Sequence, residues 1–262
     1  MHPVSAGRLA LACALSALIP ATAHAQAFPQ GQGEGRVIAS VIYSQSAKGF
    51  DDDGDVIDIP DYDKTEIYLL AEYGLTDDLT LLATPSFRAV SIEGADDSSG
   101  FGFTDLGARY RLVDGGNFVL SLQGLVRIPG QKWQDRLAQI GQTDMEYDLR
   151  GQAGLSFGQG HFAILESGYR LRAGDPPNEF HIDATLGIRA APRFLLLANS
   201  YNTISDGRGE GIFPNQRYHN VYVGAAYEVT PRITLQLGGM GTVAGRNALR
   251  ERGAFGGVWF QF

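Results

Sequence analysis

From Gly35 to Phe262, apolar and polar residues alternate in runs of about ten, separated by clusters of turn-forming residues. A period of two sends successive side chains to opposite faces and marks strands, not helices. Between Met145 and Phe157 one face reads Tyr147, Leu149, Gly151, Ala153, Leu155, Phe157, and the other Glu146, Asp148, Arg150, Gln152, Gly154, Ser156. The run 103–112 separates Leu106, Ala108, Tyr110 and Leu112 from Asp105, Gly107, Arg109 and Arg111. In 180–189, Phe180, Ile182, Ala184, Leu186 and Ile188 stand opposite His181, Asp183, Thr185 and Arg189. The run 193–203 is less clear, because Leu195, Leu196 and Leu197 make both faces apolar.

Short turns are read at 74–78, 114–117, 158–160, 190–192 and 230–231, each built from Gly, Asp, Asn, Pro or Thr. Longer connections fall near 45–63, 92–102, 130–144, 173–179, 204–217 and 244–249. These turns and loops join about twelve strands, with cores near 36–44, 64–73, 80–91, 103–112, 118–128, 145–157, 161–172, 180–189, 193–203, 218–229, 232–243 and 250–262. Ten residues at ~3.3 Å each, tilted ~40–45°, rise about 23–25 Å, the height of a membrane's apolar band. The fold class is therefore all-β: a single antiparallel transmembrane β-barrel of about 12 strands, with short periplasmic turns and longer extracellular loops. It occupies residues 26–262, with no stretch left for a second domain.

Aromatics on the apolar phase collect beside the short turns, at Tyr73, Tyr110, Phe118, Phe157, Phe194, Tyr227 and Phe262. A sparser set, Phe87, Tyr147, Tyr169 and Phe180, falls near the loops. Two rings at two heights fit the interfacial girdles of a barrel better than the core of a soluble sandwich. The last run places Ala254, Gly256, Val258, Phe260 and Phe262 on one face, with Trp259 and Gln261 on the other. An aromatic edge strand left in water invites aggregation, whereas in a closed barrel both of its edges are paired. It is expected to pair with residues 36–44 as well as with 232–243.

Composition adds the compartment. Residues 1–25 have the parts of a cleaved secretory signal: Arg8, an apolar core from Leu9 to Ile19, and Ala23-His24-Ala25. The only cysteine, Cys13, lies within that core and lacks the spacing of a lipoprotein signal, so the mature chain holds neither disulfides nor zinc thiolates. Mean hydropathy is −0.10, as expected where only every second residue meets lipid. The net charge of −8 argues against nucleic acid as a partner.

Three segments carry a family resemblance. Glu72-Tyr73-Gly74-Leu75-Thr76-Asp77-Asp78-Leu79-Thr80, Gly102-Phe103-Thr104-Asp105-Leu106-Gly107-Ala108-Arg109-Tyr110-Arg111-Leu112 and Arg127-Ile128-Pro129-Gly130 resemble the Gram-negative outer-membrane family named after the meta-pathway of phenol degradation. The third lacks that family's threonine, and the likeness covers about a third of the mature chain. It implies an outer-membrane barrel of a Gram-negative bacterium, with transport of hydrophobic or aromatic compounds as the associated label. The carboxy-terminal strand also looks like the signal read by the barrel-assembly machinery, with Gly257, Phe260 and Phe262 on its glycine and aromatic positions and Phe255 departing from its polar one. The remaining partners implied are membrane lipid, lipopolysaccharide and an unidentified small solute.

Candidate chemistry lies on the inward phase. It carries Arg88, Arg109, Arg111, Arg127, Arg150, Arg170, Arg172, Arg189 and Arg232 against Glu66, Glu72, Asp105, Glu146, Asp148, Glu166, Asp183, Glu228 and Glu251. Ion-selective pores show an excess of one sign, so balance points to ion pairs filling a narrow lumen. The alternative is that unpaired members line a path; Arg109, Arg127, Glu146, Asp148, Arg170, Arg172 and Asp183 are the residues that would do so. Seven aspartates between Asp51 and Asp63 form an acidic loop. Its spacing is not that of an EF-hand, so it reads as a solvated surface loop, and neither a metal nor a cofactor is assigned. His181 and Asp183 share a face, but no serine motif accompanies them, which argues against an enzyme. Uptake or efflux of small solutes is the leading reading. A closed, charge-filled barrel acting through binding or structure is the alternative, with a lipid-modifying enzyme more remote.

Overall fold

The computed structural model describes residues 28–131, 138, 140–141 and 144–262. The signal-peptide reading of residues 1–25 lies outside them. The barrel strands are β1 (Gly35–Phe50), β2 (Val56–Gly74), β3 (Leu79–Ile92), β4 (Ser98–Asp114), β5 (Phe118–Pro129), β6 (Glu146–Phe157), β7 (His161–Arg172), β8 (Glu179–Ala191), β9 (Phe194–Ser205), β10 (Arg217–Thr230), β11 (Ile233–Arg246) and β13 (Arg252–Gln261). A two-residue strand, β12 (Ala248–Leu249), borders β1 at the loop-end rim. Each barrel strand pairs antiparallel with its neighbours, and β1 pairs with both β2 and β13, so the sheet closes.

Closure has the expected partners, from Arg36↔Gln261 to Gln45↔Arg252. It is completed by two reciprocal bonds: the Gly35 amide donates to the Phe262 carbonyl at 2.9 Å and the Phe262 amide to the Gly35 carbonyl at 3.0 Å. The Phe262 ring lies across Gly35, where a Cβ would stand 2.4 Å from its Cζ. Only glycine permits that approach.

The outward phase is apolar and exposed in both aromatic rings: Tyr73, Tyr110, Phe118, Phe157, Phe194, Tyr227 and Phe262 at the turn end, Phe87, Tyr147 and Phe180 at the loop end. Phe260 joins the first ring and Phe101 the second, Phe101 meeting Phe87 edge-to-face at 5.9 Å.

The stretch 45–63, read from sequence as a long loop, is mostly strand, and only residues 51–55 leave β1 and β2. With 19 residues, β2 rises about 45 Å at ~40–45° of tilt, so the hairpin stands well beyond the apolar band. Asp58, Asp61 and Asp63 ride on the outer face of that projecting strand, which meets water and not lipid, while Ile59 and Tyr62 are buried on its inner face.

The interior is layered, not uniformly polar. Ile38, Leu70, Val119, Phe162, Ile164, Leu195, Leu197, Ala226 and Trp259 form an apolar cluster across the turn end. The segment before β1 seals it. Phe28 packs against the cluster, the Gln30 amide donates to Thr80 Oγ1 at 3.0 Å, and the Gly33 amide donates to the Gly74 carbonyl at 2.9 Å. At the loop end Ala138 packs with Ile59, Tyr62, Val90, Ile92 and Leu249, while Arg88 Nη1 donates to the Ile140 carbonyl at 2.7 Å.

Deleting Phe262 removes the reciprocal bonds with Gly35 and one ring of the lower girdle. The folded fraction recovered in lipid vesicles, read by heat-modifiable electrophoresis, is expected to fall severalfold; undiminished assembly would show that closure does not depend on this residue.

Candidate functional site

Inward positions of the strands β1, β2 and β4 through β8 build one connected polar ladder along the wall. At its turn-end foot, Glu72 on β2 receives two guanidiniums, Arg36 from β1 and Arg109 from β4, the latter at 3.1 Å. Arg109 donates to Gln123 Oε1 on β5 at 3.0 Å, and Gln152 on β6 bridges Gln123 at 3.3 Å to Glu166 on β7 at 2.5 Å. Arg150 then joins Glu166 at 2.5 Å, Asp148 at 2.6 Å and Asp183 at 3.2 Å. Arg170 links Asp148 at 2.8 Å to Glu179 at 3.4 Å, and Arg172 links Glu179 at 2.6 Å to Glu146 at 2.9 Å. Arg127 ends the ladder between Glu146 at 2.9 Å and Asp105 at 2.8 Å, its guanidinium 4.6 Å from the Phe103 ring centre. These side chains are nearly all out of water, so each charge needs its partners to offset desolvation.

The opposite wall is aromatic. Tyr201 and Tyr222 meet edge-to-face at 5.4 Å, and Tyr222 lies 5.6 Å from Phe255, with Ile42, Tyr68 and Met240 in the same cluster. Between the walls is a chamber of about 80 Å³, bounded by Tyr68, Tyr201, Tyr218 and Tyr222 on one side and by Arg109, Arg127, Arg150, Arg170, Glu166 and Asp183 on the other. His181 also faces it. Its Nδ1 lies 3.4 Å from Thr203 Oγ1 and its Nε2 3.5 Å from Glu179.

All seven candidate residues sit on this ladder. The structure brings together Arg127, Glu146, Asp148, Arg170, Arg172 and Asp183 near the loop end, and Arg109 nearer the turns. Each is engaged by oppositely charged partners, as the ion-pair reading expects and the unpaired alternative does not; most partners are on adjacent strands, while Arg109–Glu72 and Arg150–Asp183 each span an intervening one. Three assigned interior positions are also corrected. Arg232 is exposed in the turn after β10, and Arg111 and Arg189 form rim pairs with Asp78 and Glu228. His181 is oriented by Thr203 and Glu179, not by Asp183. His161 accepts from the Arg189 amide at 3.0 Å, and His219 meets Asn202 at 2.8 Å on the lipid-facing phase.

In the acidic loop, Asp51 Oδ1 accepts from the amides of Asp53 at 3.0 Å and Asp55 at 2.8 Å, and Asp52 accepts from Asn247 at 2.9 Å. Among the described residues, no three His, Cys, Asp or Glu side chains converge as a metal site.

Sequence reasoning missed Arg36, Lys64 and Glu179, each buried and ion-paired. Extending the phase of β1, β2 and β8 by one inward step finds all three. The tyrosine wall was hidden because Tyr201, Tyr218 and Tyr222 resemble lipid-facing residues in composition.

A family model described as "Putative MetA-pathway of phenol degradation" matches residues 47–261. No curated protein sequence matches the chain. Among solved structures, an outer-membrane channel from Pseudomonas putida F1 is 17% identical with a TM-score of 0.78, over 92% of this chain and 100% of that one. The KdgM porin in complex with disordered oligogalacturonate is 9% identical with a TM-score of 0.50, over 86% and 99%. The translocator domain of the autotransporter NalP from Neisseria meningitidis is 11% identical with a TM-score of 0.50, over 89% and 90%. These likenesses establish the shared barrel architecture.

Arg150→Met leaves Asp148, Glu166 and Asp183 buried around a neutral side chain and is expected to cost about 3–5 kcal/mol. Arg111→Ala, at a partly exposed rim pair, is expected to cost less than about 1 kcal/mol. Urea unfolding in lipid vesicles measures both; equal costs would mean that the ladder is not buried as described.

Proposed function

The chain belongs to the outer-membrane family described as "Putative MetA-pathway of phenol degradation", and from that premise we propose that it is a narrow channel for small solutes. The observation that carries the reading is the chamber at mid-barrel, faced by guanidiniums and carboxylates on one side and tyrosines on the other. A wall of that kind suits solutes with a polar edge and an apolar face, which agrees with the family's association with aromatic compounds. At about 80 Å³ the chamber is roughly half the ~150 Å³ cavity that holds benzene in another protein. A ring therefore enters only if wall side chains or the segment around Phe28 move aside, whereas a solute of a few heavy atoms needs no such change. One observation favours the alternative of a silent barrel that binds without conducting: the apolar cluster across the turn end, sealed by Phe28.

Single-channel recording in planar bilayers separates the two. Wild-type protein is expected to give a small conductance, and the Phe28→Ala, Gln30→Ala double variant a severalfold larger one, because both anchors of the sealing segment are lost. No current from either folded protein would contradict the channel reading and favour the silent barrel.

A further inference from the structure

The guanidiniums of the lumen ladder are ion-paired, but four arginines at the loop end are not. Arg217 on β10, Arg246 on β11, Arg250 just before β13 and Arg252 at its start have no ion pair among the described residues. Arg217 and Arg246 stand directly opposite each other, on the outward phase that alternates with the buried Tyr218 and Gly245. Like charges at opposed positions repel, and an anion between them relieves what the protein leaves uncompensated. Arg252 shares a rung with Gly241 of β11 and Gln45 of β1. Gly241 is also opposite Val221, four residues from Arg217, so the two basic stations are ~13 Å apart along β10. From Arg252 an apolar groove of about 670 Å³ extends over the lipid-facing wall, bordered by Val221, Val223, Gly239, Gly241, Val243 and Ala254. It shares Gln45, Gly241 and Arg252 with a cleft of about 610 Å³ at the rim, which Arg250 also lines, so groove and cleft are continuous. The other charged groups of the cleft are accounted for. Asp61 and Asp63 are on β2, with β1 between them and Arg252; Lys48 pairs with Asp58 at 2.6 Å and Glu251 with Lys64 at 2.9 Å.

We propose that this outer face, formed by β10, β11, β13 and β1, is a binding site for lipid A, the acylated, bisphosphorylated glycolipid that anchors lipopolysaccharide. The loop end of an outer-membrane barrel lies in the outer leaflet, where lipid A resides. One acyl chain occupies the groove, filling the space that the absent side chains of Gly239 and Gly241 leave beside Val221, Val223 and Ala254. One phosphate meets Arg250 and Arg252, and the other meets the opposed pair Arg217 and Arg246, since a guanidinium fork matches phosphate oxygens. A phospholipid, with a single phosphate, fills only one of the two stations. The site is on the outside of the wall, so it stands whether or not the lumen conducts.

Native mass spectrometry of the folded, detergent-solubilised protein, titrated with lipid A or with phosphatidylglycerol, reads the occupancy of each lipid. Wild-type protein is expected to retain one lipid A in preference to phosphatidylglycerol at equal concentration. The Arg217→Gln, Arg252→Gln double variant is expected to bind lipid A at least about fivefold more weakly, because one charge is lost from each station. Arg193→Gln, at an exposed position in a turn at the opposite end, is expected to leave binding unchanged. Gly241→Leu tests the groove without altering charge. A Cβ there meets only the Glu251 carbonyl oxygen, at 3.7 Å, so the strand accepts it, and lipid A binding is expected to fall at least about threefold. Heat-modifiable electrophoresis checks that each variant is folded, and either the arginine pair or Gly241→Leu carries the test should the other fail to fold. Phosphatidylglycerol bound as tightly as lipid A would overturn the proposal in favour of a general anionic-lipid boundary. Absent binding, binding unchanged in a folded arginine or glycine variant, or an equal loss in Arg193→Gln would overturn it as well.

Discussion

Everything inside this barrel follows from the cost of holding ionised groups out of water. Twelve strands with lipid on their outer face must turn their polar residues inward, and a lumen this narrow leaves little solvent to hydrate them. The structure answers with partners on neighbouring strands. Arg150 of β6 touches Asp148 of its own strand, Glu166 of β7 and Asp183 of β8, so a single guanidinium joins three staves. Continued through Gln123 and Gln152, these contacts make a ladder from Arg36 near the turns to Arg127 and Arg172 near the loops. Such pairs add less stability than their number suggests, since desolvation offsets most of their attraction. Their main effect is to fix where the wall stands and how much room it leaves.

That room is the functional quantity. The ladder occupies one side of the lumen, the tyrosines the other, and the apolar cluster around Trp259 with Phe28 covers the turn end. The chamber left between them is small and chemically two-sided. A wide porin selects mainly by size. On the proposed channel reading, a solute would exchange its hydration shell for contacts with both walls, so its polarity would matter as well.

Much of this was legible in the chain, for a physical reason. Membership of a strand and its facing are local properties, and the alternation of Glu146-Tyr147-Asp148-Leu149 leaves one solution once lipid is on one side. The closure of Arg36–Gln45 on Arg252–Gln261 followed from the same logic, because a barrel leaves no edge unpaired. What the alternation did not reveal was where the inward phase turns apolar. Leu195 and Leu197 face the lumen and Leu196 the lipid, so the ambiguous run was apolar on both sides in fact. Position along the axis decides this, and alternation reports only the face. Pairing was hidden too: Arg109 and Glu72 are 37 residues apart in sequence and meet only after β3 is laid between their strands. The stretch around Asp58 misled for the opposite reason, since a hairpin standing clear of the membrane needs no apolar outer face, and only its inner face, with Ile59 and Tyr62, is buried.

The central claim is that paired charges and tyrosines, not an open aqueous bore, define the lumen. Swelling rates of proteoliposomes in a series of neutral polyols and sugars, from ethylene glycol through glycerol and erythritol to sucrose, test it most directly. A steep fall beyond glycerol is expected from a chamber of about 80 Å³. Sucrose entering at a rate close to that of glycerol would contradict it.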